Sequence, residues 1–310
     1  MKYLFLLSLF LAAHTSGAGL DRYANLVVAD VKHSPSSVDD IRVTYLGTNG
    51  YQFEAEGRAL LVDPYFSRVG LMTTVLGQHV QPNERRIAAG MQALRPHIDA
   101  ILVTHAHIDH LFDVPRIIQL TGARLLASRT AVELAEAAGA PGKGCELVVP
   151  GDFRRIGPWK IRTFAATHDR VFPIGVPFPG ERKSNAPPRR ASDWRCGQPL
   201  SFLIETKSKR IYIDSGGRPS LLPPSNIGPV DLAVLGVALP DSRARFVDAV
   251  RRLRPRHILP SHQDNFFEPL GRGFIFGPMT DFSRVLRDYK QAQLPGRLIL
   301  LDYFRPWTLR

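Results

Sequence analysis

Four side chains able to hold a metal ion fall within six residues, His105-Ala106-His107-Ile108-Asp109-His110, directly after the apolar run Ile101-Leu102-Val103. A run of that kind reads as a strand buried on both faces, and a strand end is where a rigid scaffold presents reactive groups. His105 and His107 are two residues apart, so in extended backbone they point the same way and can share one metal. Asp109 and His110 follow where the chain must turn and can aim at a second metal beside the first. Imidazole nitrogen with carboxylate oxygen suits Zn²⁺ and related divalent ions.

The flanking chain alternates strands and helices, which predicts an α/β fold. Ile41 to Leu46 reads as a strand leading into the turn Gly47-Thr48-Asn49-Gly50. Tyr51 to Ala55 and Ala59 to Val62 then form a hairpin around Glu56-Gly57, closed by Asp63-Pro64. Gly70 to Val75 reads as an apolar flap, and Asn83 caps a short helix through Leu94. Asp113 is placed as the cap of the next helix, which ends at Gly122. Thr130 with Glu133 reads as the capping box of another, and Thr280 as the cap of a last helix to about Gln291. Further strands run over Asp99 to Val103, Trp159 to Phe164, Arg210 to Ile213, Asp231 to Leu235, His257 to Leu259 and Leu298 to Leu301.

One segment departs from this alternation. From about residue 171 to 200 the chain is rich in proline, with an apolar stretch around Val176-Pro177-Phe178 and a basic one at Arg182, Lys183, Arg189 and Arg190. It starts just after His168, so it is placed as a lid or substrate-binding insert.

At the amino end, Lys2 precedes an apolar run from Tyr3 to Ala13 and the small residues Ser16-Gly17-Ala18. That pattern predicts a secretory leader over 1–18 and a single exported domain over 19–310, periplasmic or secreted. In an oxidising compartment Cys145 and Cys196 could pair; two separate buried thiols are the alternative. The formal charge of +12 favours anionic substrates or acidic surfaces, including contact with a membrane surface, and no nucleic-acid-reading module is found among the basic residues.

The remaining ligand candidates, His168, Asp214 and His262, also follow strands. Together the seven satisfy two metals: His105, His107 and His168 on one, Asp109, His110 and His262 on the other, with Asp214 bridging. Asp63, Asp169 and Asp264 are candidates to brace them from behind. His257 is an odd number of residues from His262 and so faces the other side of its strand, away from the site.

Thr104-His105-Ala106-His107-Ile108-Asp109-His110 resembles the signature of the metallo-β-lactamase superfamily, and His168, Asp214 and His262 resemble its later motifs in order and spacing. The resemblance covers about residues 41–265. It implies a four-layer αββα sandwich built of two similar halves, with a dinuclear centre at one edge. Gly47-Thr48-Asn49-Gly50, Asp63-Pro64 and Ile258-Leu259-Pro260-Ser261-His262 are similar to the branch containing ascorbate-phosphate lactonase and N-acyl-phosphatidylethanolamine phospholipase D. Asp214-Ser215-Gly216 departs from the Gly-Asp-Thr common in the family. An aspartate stands where zinc β-lactamases of the commonest type carry cysteine, which argues against β-lactam hydrolysis as the main activity.

The expected activity is hydrolysis of an ester by a metal-bound hydroxide that Asp109 orients. Two divalent ions are expected, zinc foremost, with manganese or iron compatible. A phosphodiester of a lipid-like or small anionic molecule leads as substrate. A lactone or carboxylic ester is the alternative; nuclease action and metal binding without turnover rank below.

Overall fold

The computed structural model describes residues 19–30, 37, 39–171 and 175–310; the expected leader over 1–18 and the 172–174 part of the insert lie outside the described residues. Among the described residues, fourteen strands form the frame: β1 (Ile41–Gly47), β2 (Gly50–Ala55), β3 (Arg58–Val62), β4 (Ile98–Leu102), β5 (Arg124–Ala127), β6 (Cys145–Leu147), β7 (Phe153–Ile156), β8 (Trp159–Ala165), β9 (Leu200–Glu205), β10 (Arg210–Asp214), β11 (Leu232–Gly236), β12 (His257–Ser261), β13 (Arg297–Leu298) and β14 (Trp307–Leu309). They pair into two seven-stranded sheets, β14-β1-β2-β3-β4-β5-β6 and β13-β12-β11-β10-β9-β8-β7. In the first, β14, β1, β2 and β3 pair antiparallel and β3 to β6 pair parallel. The second repeats this, with β7 to β10 antiparallel and β10 to β13 parallel. The two halves therefore share one plan, and their parallel strands end at a common edge.

Side-chain alternation builds the layers. Along β3, Leu60 and Val62 turn into the core between the sheets, with Phe53, Ile161, Phe202 and Ile211. Ala59 and Leu61 turn outward and pack with Ile87, Ile117 and Leu134 of the helices Glu84–Gln92, Val114–Thr121 and Arg129–Ala137. On the far side, Phe246, Val250 and Leu253 of the helix Pro240–Leu253 and Val285 of the helix Phe282–Gln291 cover the second sheet. The result is the αββα sandwich, because each sheet has two apolar faces and both must be covered. Glu56 and Gly57 both take positive φ, 51° and 75°, the conformation a two-residue hairpin needs. No helix among the described residues is long and apolar enough to cross a membrane.

Several local expectations are corrected. Asp113 does not cap its helix with its side chain; the carboxylate instead accepts from the backbone N–H groups of Phe66 (2.6 Å) and Ser67 (2.7 Å). The helix Arg129–Ala137 starts from Ser128, and the Thr130 hydroxyl donates to Glu181. Asp281, not Thr280, caps the last helix, accepting from Arg284 N at 3.0 Å. Gly70 to Val75 contains a short helix, Leu71–Val75. Of the two readings left open for the cysteines, the structure has the separate thiols, Cys196 buried and Cys145 partly buried.

Residues 175–200 lie across the ligand loop and are tied to it. Ala106 N donates to Cys196 O (3.0 Å), and Trp194 packs edge-on to Phe112 in the outer core at 5.3 Å.

Candidate metal centre

The strand β4 ends at Leu102, the chain bends at Thr104 and reaches His107 in extended backbone (φ −64°, ψ 157°), and only then turns into the short helix Ile108–Leu111. The extended piece sends His105 and His107 to one side, and the turn brings Asp109 and His110 back beside them. Asp63, held at φ 42° just past β3, fixes this loop from beneath. Its carboxylate accepts from Thr104 N (2.8 Å), Thr104 Oγ1 (2.5 Å), Asn49 Nδ2 (2.8 Å) and His110 Nδ1 (2.8 Å). His168 enters after β8 and His262 after β12, the latter at φ 54° with its N–H donating to Thr48 O at 2.8 Å.

Six of the seven expected ligands come together as two groups, His105, His107 and His168, and Asp109, His110 and His262. In the first group His105 Nε2 lies 3.0 Å from His107 Nδ1, which lies 3.1 Å from His168 Nε2. In the second, His262 Nε2 lies 3.2 Å from His110 Nε2 and 3.1 Å from Asp109 Oδ2. Donor atoms at about 2.0–2.1 Å from one Zn²⁺ in a tetrahedron stand roughly 3.3 Å apart, so both groups fit a divalent ion.

The nitrogens facing away are also used as metal-ligating histidines use them. His107 Nε2–H donates to Pro177 O (2.8 Å), His168 Nδ1–H to Asp169 O (2.7 Å) and His110 Nδ1–H to Asp63.

Charge follows the same division. Burial and the neighbouring imidazoles push His105 well below its ordinary pKa and His107 down to about 3, leaving both neutral as metal binding requires. Burial alone would also lower His110, but Asp109 and Asp63 on either side hold it up to about 10. Burial would raise Asp109, and His110 and His262 outweigh that, keeping it well below the usual carboxylate range. A dication held by the second group would take the place of the proton that His110 carries on Nε2 toward Asp109, leaving the Nδ1–H bond to Asp63 in place.

Asp214 does not join them. It ends β10 fully buried, with Oδ2 at 2.6 Å from Arg245 Nη2 and Oδ1 accepting from Gly216 N at 3.0 Å. Its expected place between the groups is corrected for that reason: the carboxylate is turned to a buried arginine on the helix Pro240–Leu253. The next residue faces the site instead, with Ser215 Oγ 3.4 Å from His105 Nδ1.

The supports beneath the ligands include residues the sequence reading did not single out. Asp264 accepts from Arg68 Nη2 (2.9 Å), Tyr303 Oη (2.6 Å) and Thr48 N (2.8 Å), so Arg68 and Tyr303 help to hold the loop that carries His262. Asp169 accepts from Ser242 N (2.6 Å) and Oγ (2.5 Å). Thr48 and Asn49 lay in a readable signal, the Gly-Thr-Asn-Gly turn. Arg68 sits in irregular chain and left none.

Both groups open onto a cavity of about 180 Å³. Leu71 and Val75 of the short helix, Phe178 of the insert, Leu239, Phe266 and Met279 are among its apolar walls. Phe266 lies edge-on to His262 at 5.2 Å, so it walls the pocket beside the ligand. His257 lies outside it, against Trp307 at 5.0 Å.

An αββα sandwich whose strand-end edge gathers five imidazoles and a carboxylate defines a metal-binding scaffold with an open, apolar-walled site. Residues 58–262 match the model of the Beta-lactamase superfamily domain, and the chain belongs to that superfamily. It is similar to UPF0173 metal-dependent hydrolases from Desulforamulus reducens (24% identical over 230 residues, 73% of this chain and 86% of the relative) and Pyrococcus furiosus (25% over 233 residues, 73% and 86%). Among solved structures it resembles Igni18, a metallo hydrolase from Ignicoccus hospitalis, at 16% identity and a TM-score of 0.56, covering 87% of this chain and 99% of the other.

Proposed function

We propose that the protein is a metal-dependent hydrolase that holds two divalent ions, zinc foremost, and cleaves an ester, a phosphodiester of a lipid-like or small anionic molecule ahead of others. The observation that carries this reading is the pair of ligand groups side by side under one apolar-walled pocket. Bound there, the metals would supply an acidic water and a Lewis acid for the substrate oxygen. His105, His107 and His168 would hold one ion; Asp109, His110 and His262 would hold the other. Asp109 would hold this ion through one oxygen, and its second oxygen would be placed to accept a hydrogen bond from a water and orient it toward the substrate. Phe178, Leu239 and Phe266 hold the apolar part of the substrate and exclude bulk water. A centre with a single carboxylate among six donors stays strongly cationic, which supports an anionic substrate.

A lactone or carboxylic ester is the second reading. No Lys or Arg among the described residues lines the cavity, which favours a neutral carbonyl over the singly charged phosphodiester. Export belongs to the first reading, as does contact with a membrane surface. Met72 and Leu76, 50% and 61% exposed around the short helix at the pocket, support a lipid-like partner.

The test is hydrolysis of bis(p-nitrophenyl) phosphate by the zinc- or manganese-loaded protein beside Asp109→Ala. Turnover that is lost in the variant supports phosphodiester chemistry. A protein holding two metals that cleaves p-nitrophenyl acetate or a lactone and leaves the phosphodiester intact moves the assignment to the second reading.

A further inference from the structure

We infer that Arg245 withholds Asp214 from the metals, so that no protein carboxylate joins the two metal positions of this chain. The inference rests on the reading that the two donor groups hold metal ions. Three observations carry it. Each oxygen of the Asp214 carboxylate accepts a hydrogen bond away from the ligand groups, Oδ2 from Arg245 Nη2 at 2.6 Å and Oδ1 from the Gly216 N–H at 3.0 Å. The pair is closed off from water, with the Asp214 side chain 0% and that of Arg245 3% exposed, so turning the carboxylate toward the metals would strand a buried guanidinium. Arg245 is also anchored by its other nitrogen, Nη1, which donates to Leu221 O at 3.2 Å.

The turn after β10 is built to the same end. Gly236 on β11 lets the Ser215 backbone come so close that a Cβ there would stand 2.1 Å from Ser215 C and O. Gly216 has φ 109°, and a Cβ on it would meet Ser242 Oγ at 2.1 Å. The chain thus turns sharply at 214–216, leaving Asp214 behind the turn and Ser215 in front of it, on the cavity wall. The consequence is a centre whose two ions are linked only by what comes from outside the protein, water or an anionic oxygen of the ligand. The two positions then differ in kind, one with three neutral imidazoles and one with two imidazoles and a carboxylate.

The test is metal content and affinity rather than turnover. Wild type, Asp214→Asn and the double variant Asp214→Leu/Arg245→Met are loaded with Zn²⁺ and dialysed, and bound metal is counted by mass spectrometry and by competition with a chromogenic chelator. The double variant removes both buried charges together and keeps the fold testable if the single variant unfolds, which circular dichroism reports. The expected result is the same zinc content in every folded variant, with each affinity within threefold of wild type. A tenfold or greater loss of affinity on removing the Asp214 carboxylate overturns the inference and leaves the metal centre standing. A wild type that binds no zinc overturns both.

Discussion

His110 donates through Nδ1 to Asp63 at 2.8 Å, with neither side chain exposed to solvent. Asp63 directly follows β3 and His110 lies in the short helix after β4, so the bond ties the ends of two adjacent parallel strands at the height of the site. The same carboxylate is linked through Asn49 to Ser261 and Tyr51, because Asn49 Oδ1 accepts from Ser261 Oγ (2.7 Å) and Ser261 Oγ from Tyr51 Oη (3.1 Å). One buried chain of hydrogen bonds therefore joins both sheets beneath the ligands.

On the proposed two-metal reading, removal of this support should weaken one metal more than the other. Asp63→Ala leaves His110 free to rotate, and lost partners of this kind cost about 10–100-fold in metal affinity. The ion of Asp109, His110 and His262 loses a direct support, whereas His105 feels the change only through Thr104, whose N–H and hydroxyl bind the same carboxylate. Chelator competition on the zinc-loaded variant should resolve one strongly weakened ion and one weakened less. Equal weakening of both would refute the assignment of His110 to a single group.

Arg68 and Asp264 form another buried ion pair beneath the site, at 2.9 Å with both side chains 0% exposed. Burial alone would raise the Asp264 carboxyl, and Arg68 with the Tyr303 hydroxyl holds it below the ordinary range instead. Arg68→Met leaves that carboxylate buried without its counter-charge, a change that costs about 3–5 kcal/mol. Arg68→Met with Asp264→Asn should recover a large part of the loss. Urea denaturation of the two variants measures this directly, and an equal loss in both would show that packing, not charge, is what Arg68 contributes.

How much of this could be read beforehand depends on range along the chain. The loop from His105 to His110 was legible because its ligands are local and its period-two step fixes their direction. His168 and His262 were legible as histidines just past apolar runs. Asp214 looked the same, a carboxylate at a strand end, yet its direction is decided by Arg245, which lies 31 residues on and across a helix. A strand end says where a side chain sits, not which partner turns it. The same limit explains Asp113, whose partners Phe66 and Ser67 are more than forty residues back, so that a capping pattern was read where a tertiary contact prevails. Strands β5, β6, β7, β9 and β14 were not picked out. All but β9 have three or four residues, and β9 was masked by the proline-rich chain before it.

The Asp113 contact carries a pH dependence of definite sign. Burial raises its carboxyl from 3.8 to about 6 despite the bonds from Ser67 and Phe66. A pKa raised in the folded state means that the contribution is fully present below pH 3.8 and is lost as the pH rises through about 6. The loss is on the order of 2–3 kcal/mol, at about 1.36 kcal/mol per unit. Asp113→Asn can keep an oxygen on the two backbone N–H groups and has no charge to bury. With both proteins stripped of metal, the stability of the variant relative to wild type should rise between pH 4 and 7. A difference that stays flat across that range would show that Asp113 does not titrate there.

The pocket wall makes a prediction about substrate choice. Phe178 lies edge-on to His107 with ring centroids 6.4 Å apart, and the neighbouring Pro177 carbonyl holds His107 Nε2. The insert thus positions a candidate metal ligand through its backbone while the phenyl ring offers apolar surface to the cavity. Phe178→Ala removes the ring and leaves the Pro177 carbonyl in place, so metal content should be unchanged. Burying an apolar side chain of this size is worth about 1.5–3 kcal/mol, and the part a substrate shares in that burial is lost only by substrates that reach the ring. The expected outcome is a fall in kcat/KM of about tenfold or more for bis(p-nitrophenyl) phosphate and little change for methyl p-nitrophenyl phosphate, since 1.4 kcal/mol is tenfold. Equal losses for both diesters, with metal content intact, would place Phe178 in support of the centre rather than in recognition of the substrate.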